Sequence, residues 1–343
     1  MAAMQLLSRR RALISTILLA FVFVSFALVL FGFTSNTLLP SLPSQLRSVL
    51  LRPADPPTID LASPPAISPL AAPAPEHEEL ERVLAAADMG NRTVILTTLN
   101  AAWAEPGSVL DLFFEGFRVG NGTSELLKHL VIITTDRKAF ERCASAAHSH
   151  CFNLDIAEKD FSAEQVFNTV DYLDMMWRRL DLLRLILEKG YSFVFTDTDI
   201  LWLRNPLPHL YADGDFQISC DRFFGNATSL ENLPSNGFIY VKSANRTVAF
   251  YKYWYSLRDK YPGKNEQDVF SYIIDDRRSL RKLGLRIMFL DTKYFSGLCE
   301  RSRDMNLICT MHVNCRVGLK SKLKELRAVL DAWRKYISGL HYN

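Results

Sequence analysis

The segment YSFVFTDTDILWLRNP, residues 191–206, constrains this chain more than any other. Its first five residues, four of them apolar, read as a buried strand. Two carboxylates, Asp197 and Asp199, then follow at i and i+2, and a second apolar run comes after them. In extended chain, residues two apart point to the same side. Asp197 and Asp199 are therefore expected to face one point, with Thr198 facing away. Two carboxylates inside apolar sequence are costly unless they are solvated, paired or bound to a metal. Hard divalent cations take such oxygen ligands and keep positions open for phosphate. Asp-x-Asp by itself is a weak signal that recurs in solvated turns. Here it stands in apolar surroundings after a helix-like segment, which points to a metal that grips a diphosphate leaving group.

The flanking sequence gives this site a frame. Residues 94–99 read as a first buried strand with a turn at 100–103, and residues 108–116 as a helix. A second strand is expected at 130–136. Apolar residues at 176, 180, 183 and 187 make a helical stripe over 174–189, with Gly190 as its C-terminal stop. Further strands are expected at 238–241 and 287–290, and helices at 246–257 and 319–336. Strands alternating with helices predict an α/β domain with a mainly parallel sheet. Ligands of such sheets bind beyond the carboxyl ends of the strands, where residues 98–100, Asp136 and Asp197 fall. No internal repeat is visible.

The N-terminal part is of another kind. Residues 12–33 are an apolar run preceded directly by Arg9, Arg10 and Arg11. As a helix its 22 residues would span roughly 33 Å, enough for about 30 Å of hydrocarbon. The run exceeds the core of a cleaved signal peptide, and the arginines place its start in the cytosol. A short cytosolic tail (1–11), a transmembrane signal anchor (12–33), a proline-rich luminal stem (34–90) and a folded luminal domain (91–343) are expected. Ten of the 15 prolines lie between residues 34 and 75, a composition that favours extended, solvated chain over a packed core. Residues 76–87 read as a short helix at its end. Glycosylation sequons at Asn91, Asn121, Asn226 and Asn245, and all 6 cysteines, lie after the anchor, in keeping with an oxidising lumen. Cys143 and Cys151 are the readiest local pair. A net charge of +3 is too small to indicate nucleic acid, and no zinc-finger spacing occurs.

From residue 91 to the C-terminus the chain resembles the plant nucleotide-diphospho-sugar transferases of glycosyltransferase family 77. The resemblance rests on an ordered series: TTLNAAW (97–103), MWRRL (176–180), GYSFVFTDTDILWLRNP (190–206), NGFIYV (236–241), EQDVF (266–270), FSGLCERSRDMN (295–306) and CTMHVNC (309–315). It implies a GT-A-like fold, a single Rossmann-like nucleotide-sugar-binding domain with a mixed, mainly parallel sheet. It further implies retaining transfer from a UDP-sugar in the Golgi, with Mn²⁺ or Mg²⁺ as cofactor. Known members move pentoses to cell-wall polysaccharide or hydroxyproline-rich glycoprotein.

Roles follow from the resemblance position by position. Asp199 is expected to ligate the metal, and Asp197 to hold the metal or the ribose. His312 stands where related retaining enzymes place a third ligand, and imidazole suits Mn²⁺. Lys320 would meet the diphosphate. Thr98 and Asn100 would contact the nucleotide, with Trp103 packed nearby. Arg179 occupies a position commonly held by Lys, where a cation stabilises developing phosphate charge; Arg178 is the alternative. Asn236 and Gly237 would bring backbone close to the sugar. Glu266, Gln267 and Asp268 stand where members often carry Asp-Gln, and one of them, Gln267 or Asp268 by preference, would serve the β face of the donor sugar. The competing reading is a non-catalytic nucleotide-sugar-binding or scaffold protein of the same fold. A third class, a structural glycoprotein with a proline-rich stalk, fits neither the alternating strands nor the acidic site.

Overall fold

The computed structural model describes residues 74–146, 150–154, 161–165 and 168–340. The expected cytosolic tail, the anchor and the stem as far as residue 73 lie outside the described residues. Among the described residues no helix is long and apolar enough to cross a membrane.

The chain begins its described part with helix α1 (Ala74–Ala87), strand β1 (Thr93–Leu99), the one-turn helix α2 (Ala101–Ala104) and α3 (Val109–Val119). Then come β2 (Leu130–Thr134), α4 (Arg137–Ser145), β3 (Cys151–Asn153), α5 (Val170–Glu188), β4 (Ser192–Thr196) and β5 (Ile200–Trp202). The second half supplies β6 (Phe216–Arg222), β7 (Leu233–Val241), α6 (Asn245–Ser256), α7 (Glu266–Asp275) and α8 (Arg277–Leu283). The last elements are β8 (Ile287–Phe289), β9 (Phe295–Gly297), β10 (Thr310–His312) and the long helix α9 (Leu319–Leu340).

Seven strands form the main sheet in the order β3-β2-β1-β4-β7-β6-β8. β3, β2, β1 and β4 run parallel, as do β6 and β8, whereas β7 is antiparallel to both of its neighbours. The sheet is thus mixed and mainly parallel, as expected. A second small sheet, β5-β10-β9, leaves the end of β4 and carries the acidic turn toward the C-terminal third of the chain.

Both faces of the main sheet are covered. On one, Leu183 and Ile186 of α5, Trp254 of α6 and Phe270 of α7 pack on Phe193, Phe195 and Phe216. On the other, Phe113 and Phe117 of α3 pack with Ile95, Val194, Trp202 and Phe238. Complete burial of side chains of this size contributes about 1.5–3 kcal/mol each. In a third cluster, Leu326, Leu330 and Trp333 of α9 seal Leu201, Met311 and Val313 of the small sheet. Arg204 fastens this lid. Its guanidinium lies 4.7 Å from the Trp333 ring centre and donates to the carbonyls of Met305 and Ile308. α9 thereby has a fixed height above the acidic turn.

The expected helix at 174–189 begins earlier, because the Thr169 hydroxyl accepts from the Tyr172 N–H and caps it. It ends before Gly190, whose φ of +83° is the left-handed turn that glycine tolerates best. Strand 130–136 is shorter than expected. The Asp136 carboxylate accepts from the N–H groups of Ala139 and Ala101, so it caps α4 rather than facing a ligand. The expected pairing Cys143–Cys151 is present, and Cys299–Cys315 forms a second disulfide; Cys220 and Cys309 are buried thiols.

Residues 74–90, assigned to the stem from sequence, include a helix that belongs to the folded body. Leu80, Val83, Leu84 and Ala87, spaced as one helical stripe, are buried in the same core as Val94 and Val131. A chain starting at residue 74 is therefore expected to unfold cooperatively in urea at the full-length midpoint. One starting at residue 91 should have a lower midpoint, and Leu84→Ala should cost about 2–5 kcal/mol. Equal midpoints for the two truncated chains would contradict this placement of α1.

Candidate metal and donor site

The acidic pair sits where β4 leaves the main sheet. Asp197 and Asp199 do not lie in extended chain as expected. β4 ends at Thr196, and the Ile200 N–H bonds back to the Asp197 carbonyl at 3.2 Å, so residues 197–199 form a turn into β5. Thr198 is buried within it. The turn still converges the two carboxylates, because its neighbours fix both ends. The Asp197 N–H donates to the Gly237 carbonyl at 2.7 Å, and the Val313 N–H to the Asp199 carbonyl at 3.1 Å.

β10 supplies the third group. Its antiparallel pairing with β5 sets His312 opposite Ile200, one residue from Asp199. His312 Nε2 lies 3.4 Å from Asp199 Oδ1 and 4.0 Å from Asp197 Oδ2. Ligand atoms of Asp197, Asp199 and His312 all fall within 4.8 Å of one another. Two carboxylates and an imidazole are donors that Mn²⁺ and Mg²⁺ accept, so these residues fit a divalent ion. Gly237 makes the room: a Cβ there would stand 2.4 Å from His312 Cε1 and 3.1 Å from Asp197 Oδ2. Its role is clearance for the cluster.

Cations from two different layers balance the carboxylates. From α5, Arg179 donates to Asp197 Oδ1 at 3.0 Å and to Glu266 Oε1 at 2.5 Å, with its guanidinium 4.8 Å from the Phe195 ring centre. From the first turn of α9, the Lys322 ammonium pairs with Asp199 Oδ2 and donates to the Val313 carbonyl at 3.1 Å. The Asp199 side chain is only 2% exposed, that of Asp197 29%. Burial, with the Asp199 charge added, raises the Asp197 carboxyl above the ordinary range against the pull of Arg179. Burial also works to raise Asp199, but Lys322 and His312 outweigh it and hold that carboxyl below the ordinary range.

α7 presents Glu266 and Gln267 at its N-terminus, where Asn265 caps the helix. Gln267 Oε1 accepts from the Asn236 N–H at 2.9 Å and so ties α7 to β7. Asp268 enters these contacts through its backbone N–H, which donates to Asn265 Oδ1 at 2.8 Å. Glu266 Oε2 and both amide atoms of the Asn236 side chain are buried and find no hydrogen-bond partner among the described residues. Unpaired buried polar atoms are costly, and here they lie one bond network from the acidic turn.

The other expected residues divide. Thr98 borders a small cavity with Thr135, Met176 and Arg179. Asn100 is engaged structurally. Its amide donates to the carbonyls of Phe161 and Ala163, and its Oδ1 caps Trp103. Lys320 is exposed, and Lys322, two residues on, is the lysine that reaches Asp199. A helical signal for this choice existed: Lys322 lies four and eight residues before Leu326 and Leu330, on the buried stripe of α9, and Lys320 does not. Trp103 does approach the site, with its ring 5.8 Å from Lys322 Nζ. Arg178 pairs with Asp174 at 3.2 Å along its own helix. The sequon asparagines Asn91, Asn121, Asn226 and Asn245 are all exposed.

The family profile described as nucleotide-diphospho-sugar transferase matches residues 125–326. An uncharacterized protein of Arabidopsis thaliana is 44% identical over 262 residues, which cover 76% of this chain and 69% of that protein. A UDP-galactose:fucoside alpha-3-galactosyltransferase of Dictyostelium discoideum is 33% identical over 164 residues, 40% of this chain and 24% of its own. A beta-arabinofuranosyltransferase of Arabidopsis thaliana is 34% identical over 67 residues, 19% of this chain and 12% of its own.

The two candidate arginines should separate by mutation. Arg179 and Glu266 are 9% and 6% exposed, so Arg179→Met strands a buried carboxylate and should cost about 3–5 kcal/mol. Arg178→Met removes a half-buried pair within one helix and should cost about 1 kcal/mol or less. Urea midpoints of the two variants measure the difference; equal losses would refute the assignment of Arg179 to the site.

Proposed function

Because this chain belongs to the nucleotide-diphospho-sugar transferase family, we propose that it is a metal-dependent enzyme that transfers a sugar from a UDP-sugar to a glycan acceptor with retention of configuration. The family match and the mixed, mainly parallel α/β sheet support this reading. The donor sugar is read as a pentose, and the acceptor as a cell-wall polysaccharide or a hydroxyproline-rich glycoprotein. The observation that carries the reading is the convergence of Asp197, Asp199 and His312, with ligand atoms within 4.8 Å of one another, in a site whose other carboxylate, Glu266, retains an unpartnered buried oxygen.

In this reading the bond between the anomeric carbon and the diphosphate oxygen breaks, and the acceptor hydroxyl oxygen bonds to that carbon. The proton of the hydroxyl leaves with the diphosphate. Asp197, Asp199 and His312 would hold Mn²⁺ or Mg²⁺, which supplies charge neutralisation to the departing diphosphate. Lys322, rather than Lys320, brings the ammonium to the same charge. Arg179 holds Asp197 and Glu266 at fixed separation, and preorganised charge of this kind lowers the barrier without reorganisation at the moment of reaction. Glu266 Oε2 and the Asn236 amide are the groups free to bond donor hydroxyls. Gln267 fixes the Asn236 backbone beside these groups, and Gln267 or Asp268 is read as the residue that serves the β face of the sugar.

The test is UDP release from a panel of UDP-sugars with Mn²⁺ present. One pentose donor should stand out, a chelator should abolish turnover, and added Mn²⁺ should restore it. Asp199→Asn keeps the shape and removes a charged ligand, so the rate should fall by roughly a hundredfold or more, since about 1.4 kcal/mol is tenfold. Full turnover in chelator would refute the reading. We also read residues 12–33 as the signal anchor of a single-pass type II Golgi membrane protein with its enzyme domain in the lumen. In sealed microsomes the folded domain should resist added protease; its digestion there would overturn that topology.

A further inference from the structure

The acidic turn is served by two cations that differ in what they can do. Arg179 is locked. Its side chain is 9% exposed, it bridges two carboxylates, and it lies against Phe195. Lys322, 17% exposed, makes its polar contacts through a single ammonium. Its ammonium sits on Asp199 Oδ2 and the Val313 carbonyl, with the Trp103 ring at 5.8 Å. The other oxygen of that carboxylate, Oδ1, faces His312 Nε2 at 3.4 Å. Both oxygens of Asp199 are therefore in use, one by the lysine side chain. A divalent ion gripped by Asp197, Asp199 and His312 needs lone pairs of the same carboxylate, and it repels an ammonium bound there.

We propose that Lys322 and the divalent cation compete for Asp199, so that the lysine must release the carboxylate for the ion to bind. This rests on the metal reading given above and adds a consequence to it. Among the described residues the cluster holds three carboxylates (Asp197, Asp199, Glu266) and two side-chain cations (Arg179, Lys322). Its net charge is −1, too little to welcome a dication while Lys322 stays in place. A nucleoside diphosphate changes the balance. It offers the released ammonium a new partner and offsets the charge of the ion. A lysine has four flexible methylenes and three rotatable donors, so the exchange needs a rotamer change of Lys322 and no movement of α9. The ion and the diphosphate then bind as a linked pair, and the linkage is reciprocal. Lys322 acts as a positioning residue that keeps a lone cation out of the site and admits it with the donor.

Mn²⁺ binding, followed by electron paramagnetic resonance of the free ion with and without UDP, tests this on the intact protein and needs no turnover. The wild-type protein should bind Mn²⁺ weakly alone and at least tenfold more tightly with UDP. Lys322→Met should bind Mn²⁺ alone at least tenfold more tightly than wild type, and UDP should add correspondingly less. Lys322→Arg keeps the charge on Asp199 and should not tighten Mn²⁺ binding. Lys324→Met, at an exposed position of the same helix, should match wild type. Absence of any UDP effect on wild-type Mn²⁺ affinity would overturn the competition, whether or not a variant folds. So would equal Mn²⁺ affinity in Lys322→Met and wild type, and in that case the metal reading stands. Failure of every protein to bind Mn²⁺, with or without UDP, would refute the metal reading and this inference together.

Discussion

Three carboxylates, two in the turn that leaves β4 and one at the N-terminus of α7, set the terms for the rest of this molecule. Asp199 and Glu266 are almost fully enclosed, and Asp197 is partly so. Ionised groups taken out of water carry a penalty that only well-placed partners offset. Arg179 from α5 and Lys322 from α9 supply those partners from two separate layers. Much of the architecture can be understood as what keeps the two cations in reach. α5 is anchored on the main sheet through Leu183 and Ile186. α9 is pressed on the small sheet through Leu326, Leu330 and Trp333, and Arg204 fastens it.

The second constraint is proximity between distant parts of the chain. β5-β10 pairing brings His312 beside Asp199, and the disulfide Cys299–Cys315 closes the loop that carries it, over a separation of 16 residues. Loop closure of this length stabilises by about 3 kcal/mol in the chain-entropy account. Segment 161–165 links the remaining pieces. Its carbonyls hold Asn100 at the end of β1, and Glu164 accepts from the Leu319 N–H at the start of α9. A residue expected to touch nucleotide is thus part of the scaffold that seats Lys322.

What could be read from sequence follows from the range of each interaction. The long helices were legible because buried stripes repeat at 3.6 residues, as in α5, and the buried strands of the main sheet because their apolar runs are dense. Of the five three-residue strands only β8 was legible, through its apolar run 287–290; β3, β5, β9 and β10 show no period, so the small sheet that positions His312 was invisible. The acidic pair was recognised, but its backbone is a turn and not a strand, since the Ile200 N–H bonds back to the Asp197 carbonyl and long-range bonds to Gly237 and Val313 fix the two ends. Asp136 and Asn100 illustrate the limit for polar residues at strand ends. Each satisfies backbone groups nearby, and no sequence signal separates such caps from ligand contacts. The contacts of Arg179 with Glu266 and of Lys322 with Asp199 span 87 and 123 residues. Only the family resemblance brought Glu266 into view, and the helical stripe of α9 held the unread clue that Lys322 faces inward.

The central claim is that Asp197, Asp199 and His312 form one divalent-metal site that receives a nucleoside diphosphate. Crystals grown with Mn²⁺ and UDP, measured at the manganese absorption edge, test it most directly. The account predicts a single strong anomalous peak in contact with all three side chains, with the diphosphate on its open side and Lys322 turned from Asp199 toward phosphate. Bound UDP with no anomalous peak at these residues, or a peak held by other side chains, would contradict it.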